Sequence, residues 1–473
     1  MVPNSQAKAL EVRKNLIFSC ADSWKKGGAN KSQILQDALK LVKSAPEDDL
    51  GPIAAAIISK HKEFAVQFLC EAIKQQYVRF ILPMLQNGID TEHRVSYFME
   101  NWKITFLMFA ICNKAFSSAE KLLEAPNIDI EQRDGNGNTA LLIACEMRLL
   151  DFCKVLLLRG ANINAQNTFG NTALKIAIMN DDLAMFNLLV ENDADVNITD
   201  NKKNSSLILA CAKKNSSMAL ALATNSTIDI NKQNEFGSSA LLLASEAGLV
   251  NVVDALCEHQ ELDVDLAGNS GRTPLMMACQ NGHAQIAQKL LEKGANVNAI
   301  INVRMIKVSP FILAFFNGQI EIAKMLIASP TFNVNLEVAK GLSILGMSCL
   351  DGYIEIVTAL LECQNIQIRK KNHLGCKELF NALKNAARNG NYAIIKKLFE
   401  FNRNNAQHEL SKRKLNELQN LINEYADRDD EKIDILVEAA LNIESSMLAH
   451  DEDSAGTEQT SFHIQATSET VHE

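Results

Sequence analysis

Along most of this chain, short apolar stretches alternate with polar breaks at a nearly constant interval. Each stretch opens on a small hydroxyl residue. "GNTALLIAC" opens at Thr139, "GNTALKIAI" at Thr172, "KNSSLILAC" at Ser205, "GSSALLLAS" at Ser239 and "GRTPLMMAC" at Thr273. Weaker copies stand at Thr105, Ser309 and Ser343, and a degenerate one at Asn381, giving nine units spaced by 33 to 38 residues. Seventeen residues after every opening position stands a leucine: Leu122, Leu156, Leu189, Leu222, Leu256, Leu290, Leu326, Leu360 and Leu398. That second register is independent of the first, and it makes the units structurally equivalent.

The pattern predicts two short helices and a polar hairpin per unit. The opening Thr or Ser caps a first helix, its hydroxyl accepting from backbone N–H groups that the helix leaves without partners. Pro274 follows Thr273 in the first turn, where a missing N–H costs little. Leu and Ala at fixed offsets give a narrow apolar face. Gly248, Gly282, Gly318, Gly352 and Gly390 stand nine residues after their anchors, where the chain must turn between helices. Lys114, Arg148, Asp181 and Lys214 replace that glycine in other units and leave the turn geometry there open.

A period near 33 built from a turn and two helices resembles the ankyrin-repeat family. "GRTPLMMACQNGHAQIAQKLLEKGANVNA" is close to that family's consensus, and the resemblance covers Asn101 to Asn402. It implies an all-α fold: an ankyrin-repeat solenoid of stacked helix pairs with short hairpin fingers, and helical caps at both ends. Residues 1–50 are expected to form an N-terminal helical cap, with a helix over Ser32 to Lys43. Residues 51–100 form an irregular helical region with a degenerate repeat. Two registers compete there, one anchored at Gly51 and one placing a second helix at Tyr77 to Asn87; the latter spaces better against Thr105. Residues 101–402 form the solenoid of about nine repeats, 403–448 a C-terminal helical hairpin, and 449–473 a disordered acidic tail with too little apolar surface to order it.

Charge sharpens this division. The net charge is −9. Arg403 to Glu473 holds 6 basic and 16 acidic side chains, which leaves the first 402 residues at +1. Such a body offers no overall basic footprint for nucleic acid. The longest apolar runs, such as "FILAFF" from Phe311, are far too short to span a membrane. Eleven cysteines without a tight framework suggest reduced thiols.

Candidate chemistry is sparse. Cys145, Cys211, Cys279 and Cys349 stand six residues after their anchors, in a slot suited to a small buried side chain. No Cys or His spacing fits a metal site, so no cofactor, metal ligand or catalytic residue is expected. Cys20 or Cys70 with His61 or His93 is the set an enzyme hidden in the N-terminal region would use. Proteins that resemble this family bind partners through hairpin tips and the exposed side of the first helix. Carried onto this sequence, the tips are Trp102, Phe169, Phe236, Met305 and Ile306. The first-helix positions are Met147, Met179, Glu246, Gln280, Phe316 and Leu350. Aromatic and methionine side chains at solvent-facing positions mark an interface. The expected function is therefore a monomeric, non-catalytic scaffold for a protein partner. The Ser- and Thr-rich acidic end resembles the translocation signals of bacterial type IV secretion effectors, which implies delivery into a host cell and a host protein as partner. An ordinary cytosolic adaptor or inhibitor is the alternative.

Overall fold

A computed structural model describes residues 3–26, 30–90, 93–97, 99–303, 306–339, 341–367, 378–404 and 420. Contacts divide the chain into two compact units, Met1–Ile301 with Ser309–Ile322, and Asn302–Val308 with Ala323–Glu473.

The first unit opens with five helices: α1 (Pro3–Lys25), α2 (Lys31–Lys43), α3 (Glu47–Lys60), α4 (Lys62–Lys74) and α5 (Val78–Gln86). A hairpin of β1 (Val95–Tyr97) and β2 (Met99–Ile104) follows, with Val95 opposite Ile104. Helix pairs then recur: α6 (Phe106–Cys112) and α7 (Phe116–Leu123), α8 (Ala140–Glu146) and α9 (Leu150–Leu158), α10 (Ala173–Met179) and α11 (Leu183–Glu191). Next come α12 (Ser206–Ala212) and α13 (Ser216–Ala223), α14 (Ala240–Ala247) and α15 (Val250–Glu258), α16 (Pro274–Asn281) and α17 (Ala284–Glu292). After the hairpin β3 (Ile301–Val303) and β4 (Ile306–Val308), α18 (Pro310–Phe316) completes the row of first helices. Helix α19 (Ile320–Ile327) spans the boundary between the units.

Hydroxyl caps start the first helices where the sequence places them. Thr105, Thr139, Thr172, Ser205, Ser239, Thr273 and Ser309 each accept from the backbone N–H three residues on, at 3.2–3.4 Å. Each cap is buried, so losing its oxygen would strand a donor away from water. First helices pack on first helices from α2 through α4, α6 and onward to α18. In the other row, α1 packs on α3, α3 on α5 and α5 on α7. Helix pairing of the repeat kind therefore begins well before Thr105, and α5 occupies the second-helix place that the Tyr77–Asn87 register predicts. The recurrent Leu122, Leu156, Leu189, Leu222, Leu256 and Leu290 are all at most 1% exposed.

The turn between paired helices is left-handed with or without glycine. Gly248 and Gly282 have φ of 77° and 78°, while Lys114, Arg148, Asp181 and Lys214 take 55°, 57°, 54° and 57°. The backbone requirement is thus uniform, and four side chains bear its steric strain at about 1–2 kcal/mol each. Lys114→Gly should accordingly stabilise the chain by about 1 kcal/mol, the relieved strain outweighing glycine's larger entropy loss on folding. Urea unfolding reads this directly; a lower midpoint would show that the Lys114 side chain contributes more than its backbone costs.

The fingers between repeats share one construction. The side-chain oxygen of Asp134, Asn167, Asp200 or Asn234 accepts from two backbone N–H groups of its own tip at 2.8–3.0 Å. This is the Asx geometry that pins a turn without help from the tip side chains. Adjacent fingers are joined by backbone bonds: Thr168 to Asn136, Asn201 to Phe169, Glu235 to Lys202 and Asn269 to Phe236, at 2.9–3.2 Å.

The second unit contains β5 (Glu337–Ala339) paired antiparallel with β6 (Leu342–Ser343). Helices α20 (Ile344–Asp351), α21 (Ile354–Glu362), α22 (Glu378–Arg388) and α23 (Tyr392–Asn404) follow. Ser343 caps α20 through the N–H of Gly346 at 3.0 Å. Asn381 does not open a helix: it lies inside α22. Asn381 lacks the hydroxyl cap of the other units, and three described helical residues precede it. The unit closes on schedule, with Gly390 at φ 65° and Leu398 fully buried. The hairpin expected over 403–448 and the tail expected over 449–473 lie outside the described residues, apart from the end of α23 and residue 420.

Candidate binding surface

From the Thr139 repeat onward, the first helix presents one side chain outward seven residues after its anchor; the Thr105 repeat has buried Cys112 there. Within the first unit that column reads Glu146, Met179, Ala212, Glu246, Gln280 and Phe316. Phe316 is 64% exposed and Met179 37%, and Glu246 is also exposed. Gln280 is half-buried and tied down, its Oε1 accepting from Arg272 at 2.5 Å. Met147, one position further along α8, is half-buried. A second column four residues after the anchors was not singled out from the sequence. It leaves Leu209, Leu243 and Leu313 half-buried on the same face of their helices, where Ile143 and Ile176 are covered. The signal was present as a leucine in those three units, but core and groove leucines look alike in a sequence.

At the finger tips, Phe169 and Phe236 are each 60% exposed. Each ring stands just before a left-handed glycine, Gly170 at φ 77° and Gly237 at 72°. Those glycines are required: a Cβ would lie 2.8 Å from the Asn201 nitrogen at the first and 2.6 Å from the Asn269 nitrogen at the second. The second unit carries Ile306, 37% exposed on β4, and Leu350, half-buried at the end of α20. Met305 and the side chain of Trp102 lie outside the described residues.

Beneath this surface lies one feature that periodicity does not reveal. Three residues after their anchors, the first helices carry Met108, Leu142, Ile208, Leu242, Met276 and Ile312, all buried. In α10 the same place holds Lys175, also with no exposed surface. Its Nζ donates to the carbonyl of Asn204 at 2.5 Å and stands 3.9 Å from Asp200 Oδ2. Burial pushes its pKa down to about 8, with Asp200 opposing the shift and Lys232 adding to it.

The candidate thiols Cys20 and Cys70, with Cys145 and Cys211 in the first helices, are unsuited to nucleophilic work. Burial pushes Cys70 up to about 12 and Cys211 to about 12, and it also raises Cys20. Cys145 is raised by its contact with Cys153, 3.5 Å away, and then by burial. A reactive cysteine needs the opposite shift. His61 faces Asp22 at 3.7 Å and the ring of Phe18. His93 lines a cleft of about 490 Å³ with Lys62, Glu63, Val66, Gln67, Arg94 and Val95, a set without cysteine or aspartate. Among the described residues no group of three His, Cys, Asp or Glu could hold a metal ion. No described helix is long and apolar enough to cross a membrane.

Stacked helix pairs with pinned, ladder-linked fingers define a repeat protein whose variable side chains are displayed on a constant frame. The chain belongs to the ankyrin-repeat family: the family model for ankyrin repeats (3 copies) matches residues 69–167, 107–200, 149–234, 207–301 and 311–412, well over half of the sequence. It is similar to the putative ankyrin repeat protein YahD of Escherichia coli (strain K12), with 30% identity over 113 residues, covering 24% of this chain and 56% of that protein. The chain therefore spans about half the length of that curated relative. Among solved structures it is similar to EF0377, an ankyrin repeat protein, with 27% identity, a TM-score of 0.36, and coverage of 40% of this chain and 96% of the other. An ankyrin repeat domain from Acinetobacter baumannii AYE matches at 29% identity and a TM-score of 0.36, with coverage of 40% and 95%.

Proposed function

We propose that this chain is a non-catalytic scaffold that holds a protein partner against its finger tips and first helices, using Phe169, Phe236, Met179 and Phe316 as apolar anchors. The observation that carries this reading is the pair of 60%-exposed phenylalanines on tips whose backbone is fixed independently of the rings. Large rings held rigidly in water lose little entropy on docking and bury much area, which is the profile of a binding hot spot. The raised cysteines and the cleft without Cys or Asp weigh against a cysteine-dependent enzyme in the N-terminal region. The scaffold acts as a monomer on a protein, with no nucleic acid, membrane span or cofactor.

The composition of the acidic end supports reading this scaffold as a bacterial effector delivered through a type IV system to act on a host protein. Residues 449–473 hold six carboxylates and no Lys or Arg. A segment with so little apolar content is of the kind an export machine can capture. A reporter fused to the full chain, with and without residues 449–473, tests this. Delivery into host cells by the full chain and its loss on truncation is the expected result. Equal delivery of both forms would remove the tail from the mechanism, and delivery of neither would remove the effector reading while leaving the scaffold.

A further inference from the structure

We infer that the repeat from Asp200 to Lys214, together with the phenylalanine tips on either side of it, is a docking site for an acidic polypeptide segment carrying apolar anchor residues. This rests on the scaffold reading and names the chemistry of its partner. Between Ile198 and Ile228 the chain holds four lysines, Lys202, Lys203, Lys213 and Lys214, and one carboxylate, Asp200. All four lysines are exposed. Asp200 is spent inside the finger, accepting from the N–H groups of Lys202 and Asn204 and from the Asn204 amide. Among the described residues none of the four lysines has a carboxylate within 4 Å. In the flanking repeats exposed carboxylates, Glu146 and Asp181 before and Glu235 and Glu246 after, accompany the basic residues, so this repeat is the one between them whose exposed charges are all lysine.

Two of these lysines stand where the fold asks for glycine. Lys203 takes φ 60° at the tip position held by Gly137, Gly170, Gly237 and Gly271 in other fingers, whose φ runs from 72° to 77°. Lys214 takes 57° at the helix turn that later repeats give to Gly248 and Gly282. A straight-chain residue gains nothing locally from a left-handed backbone, and such strain concentrates where side chains do work. The finger is also held still. Its Asn201 N–H donates to Phe169 O at 3.2 Å, its Lys202 O accepts from Glu235 at 2.9 Å, and buried Lys175 bonds Asn204 O from below. The lysine tip is thus laced between the two phenylalanine tips. At roughly 8–10 Å per stacked helix layer, the rings are about 20 Å apart. An extended segment of about six residues spans that distance, its carboxylates over Lys202 and Lys203 and an apolar side chain at each end, while Lys213 and Lys214, at the far end of α12, add positive charge on the side of the first helix.

The test uses the full chain and a fluorescent peptide of six glutamates flanked by phenylalanines, with a lysine-for-glutamate peptide and a single-stranded DNA oligonucleotide as comparisons. The acidic peptide should bind, more weakly as salt rises. The variant Lys202→Ser, Lys203→Gly, Lys213→Ser, Lys214→Gly should lose about tenfold in affinity, while its unfolding midpoint holds or rises because two strained positions become glycine. Lys203→Gly with Lys214→Gly alone should already weaken binding without loss of stability. No binding of the acidic peptide, unchanged affinity in the fourfold variant, or equally tight binding of the DNA at the same lysines would each overturn the inference. Partner crosslinking from positions 169 and 236 is read separately, so a scaffold with a partner of other chemistry would still be recognised.

Discussion

Lys175→Met is expected to stabilise this protein by about 2 kcal/mol at neutral pH. Lys175 has no exposed surface, and burial holds its pKa near 8, below the ordinary 10.5. A depression of that size corresponds to roughly 3 kcal/mol of unfavourable charge burial. The bond to Asn204 O returns about 1 kcal/mol of it. Methionine fills a similar volume, and Met108 and Met276 already occupy the equivalent place in other repeats. No acceptor is stranded, because Asn204 O also receives Asp200 N–H at 3.1 Å and Asp200 Oδ2 receives the Asn204 amide at 3.0 Å. The pH dependence has a definite sign. Between about pH 8 and 10.5 the unfolded lysine holds its proton while the folded one releases it. Wild-type stability therefore rises with pH through that window, relative to a chain without the group. Urea unfolding of both proteins at pH 7 and pH 10 should show the gap shrinking by most of its size. A gap that stays constant, or a variant less stable at pH 7, would mean that the ammonium group is satisfied where it lies.

The second large effect is on binding. Phe169→Ala and Phe236→Ala should each weaken partner affinity by about 2 kcal/mol, roughly thirtyfold. Stability should move by no more than about 0.5 kcal/mol, because both rings are more than half exposed. The tips do not need them: Asn167 and Asn234 hold the backbone, and Gly170 and Gly237 make the turn. Calorimetric titration of the captured partner, paired with thermal unfolding, separates the two quantities. Loss of thermal stability with affinity intact would make the rings packing residues.

Eight of the nine anchors were legible because each is a Thr or Ser whose cap and following apolar face obey local rules. The ninth, Asn381, misled because spacing alone located it: the leucine and glycine registers hold, but Asn381 lies inside α22 and not at a helix start. Lys114, Arg148, Asp181 and Lys214 left the turn geometry open, and the structure shows that the turn persists and the residues carry strain. That outcome depends on tertiary packing overriding backbone preference, which a sequence does not display. The tip phenylalanines were legible because a finger tip has no core to face. Lys175 was not, since a lysine amid apolar residues in a helix seven residues long is as easily drawn on the outside, and only the neighbouring finger's carbonyl explains its direction. The lysines of the Asp200–Lys214 repeat were visible one by one, but their meaning came from the backbone conformations beneath two of them.

The central claim is that this frame binds a protein through its tips and first helices. Its most direct test places a photoreactive benzoyl-phenylalanine at position 169, 236 or 316, and at Gln288, an exposed position of the outer helix α17. Each full-length protein is irradiated in eukaryotic cell lysate and the adducts are identified by mass spectrometry. The same protein should crosslink from positions 169 and 236, and from 316, and be absent from 288. Adducts that appear equally at 288, or only there, would contradict it.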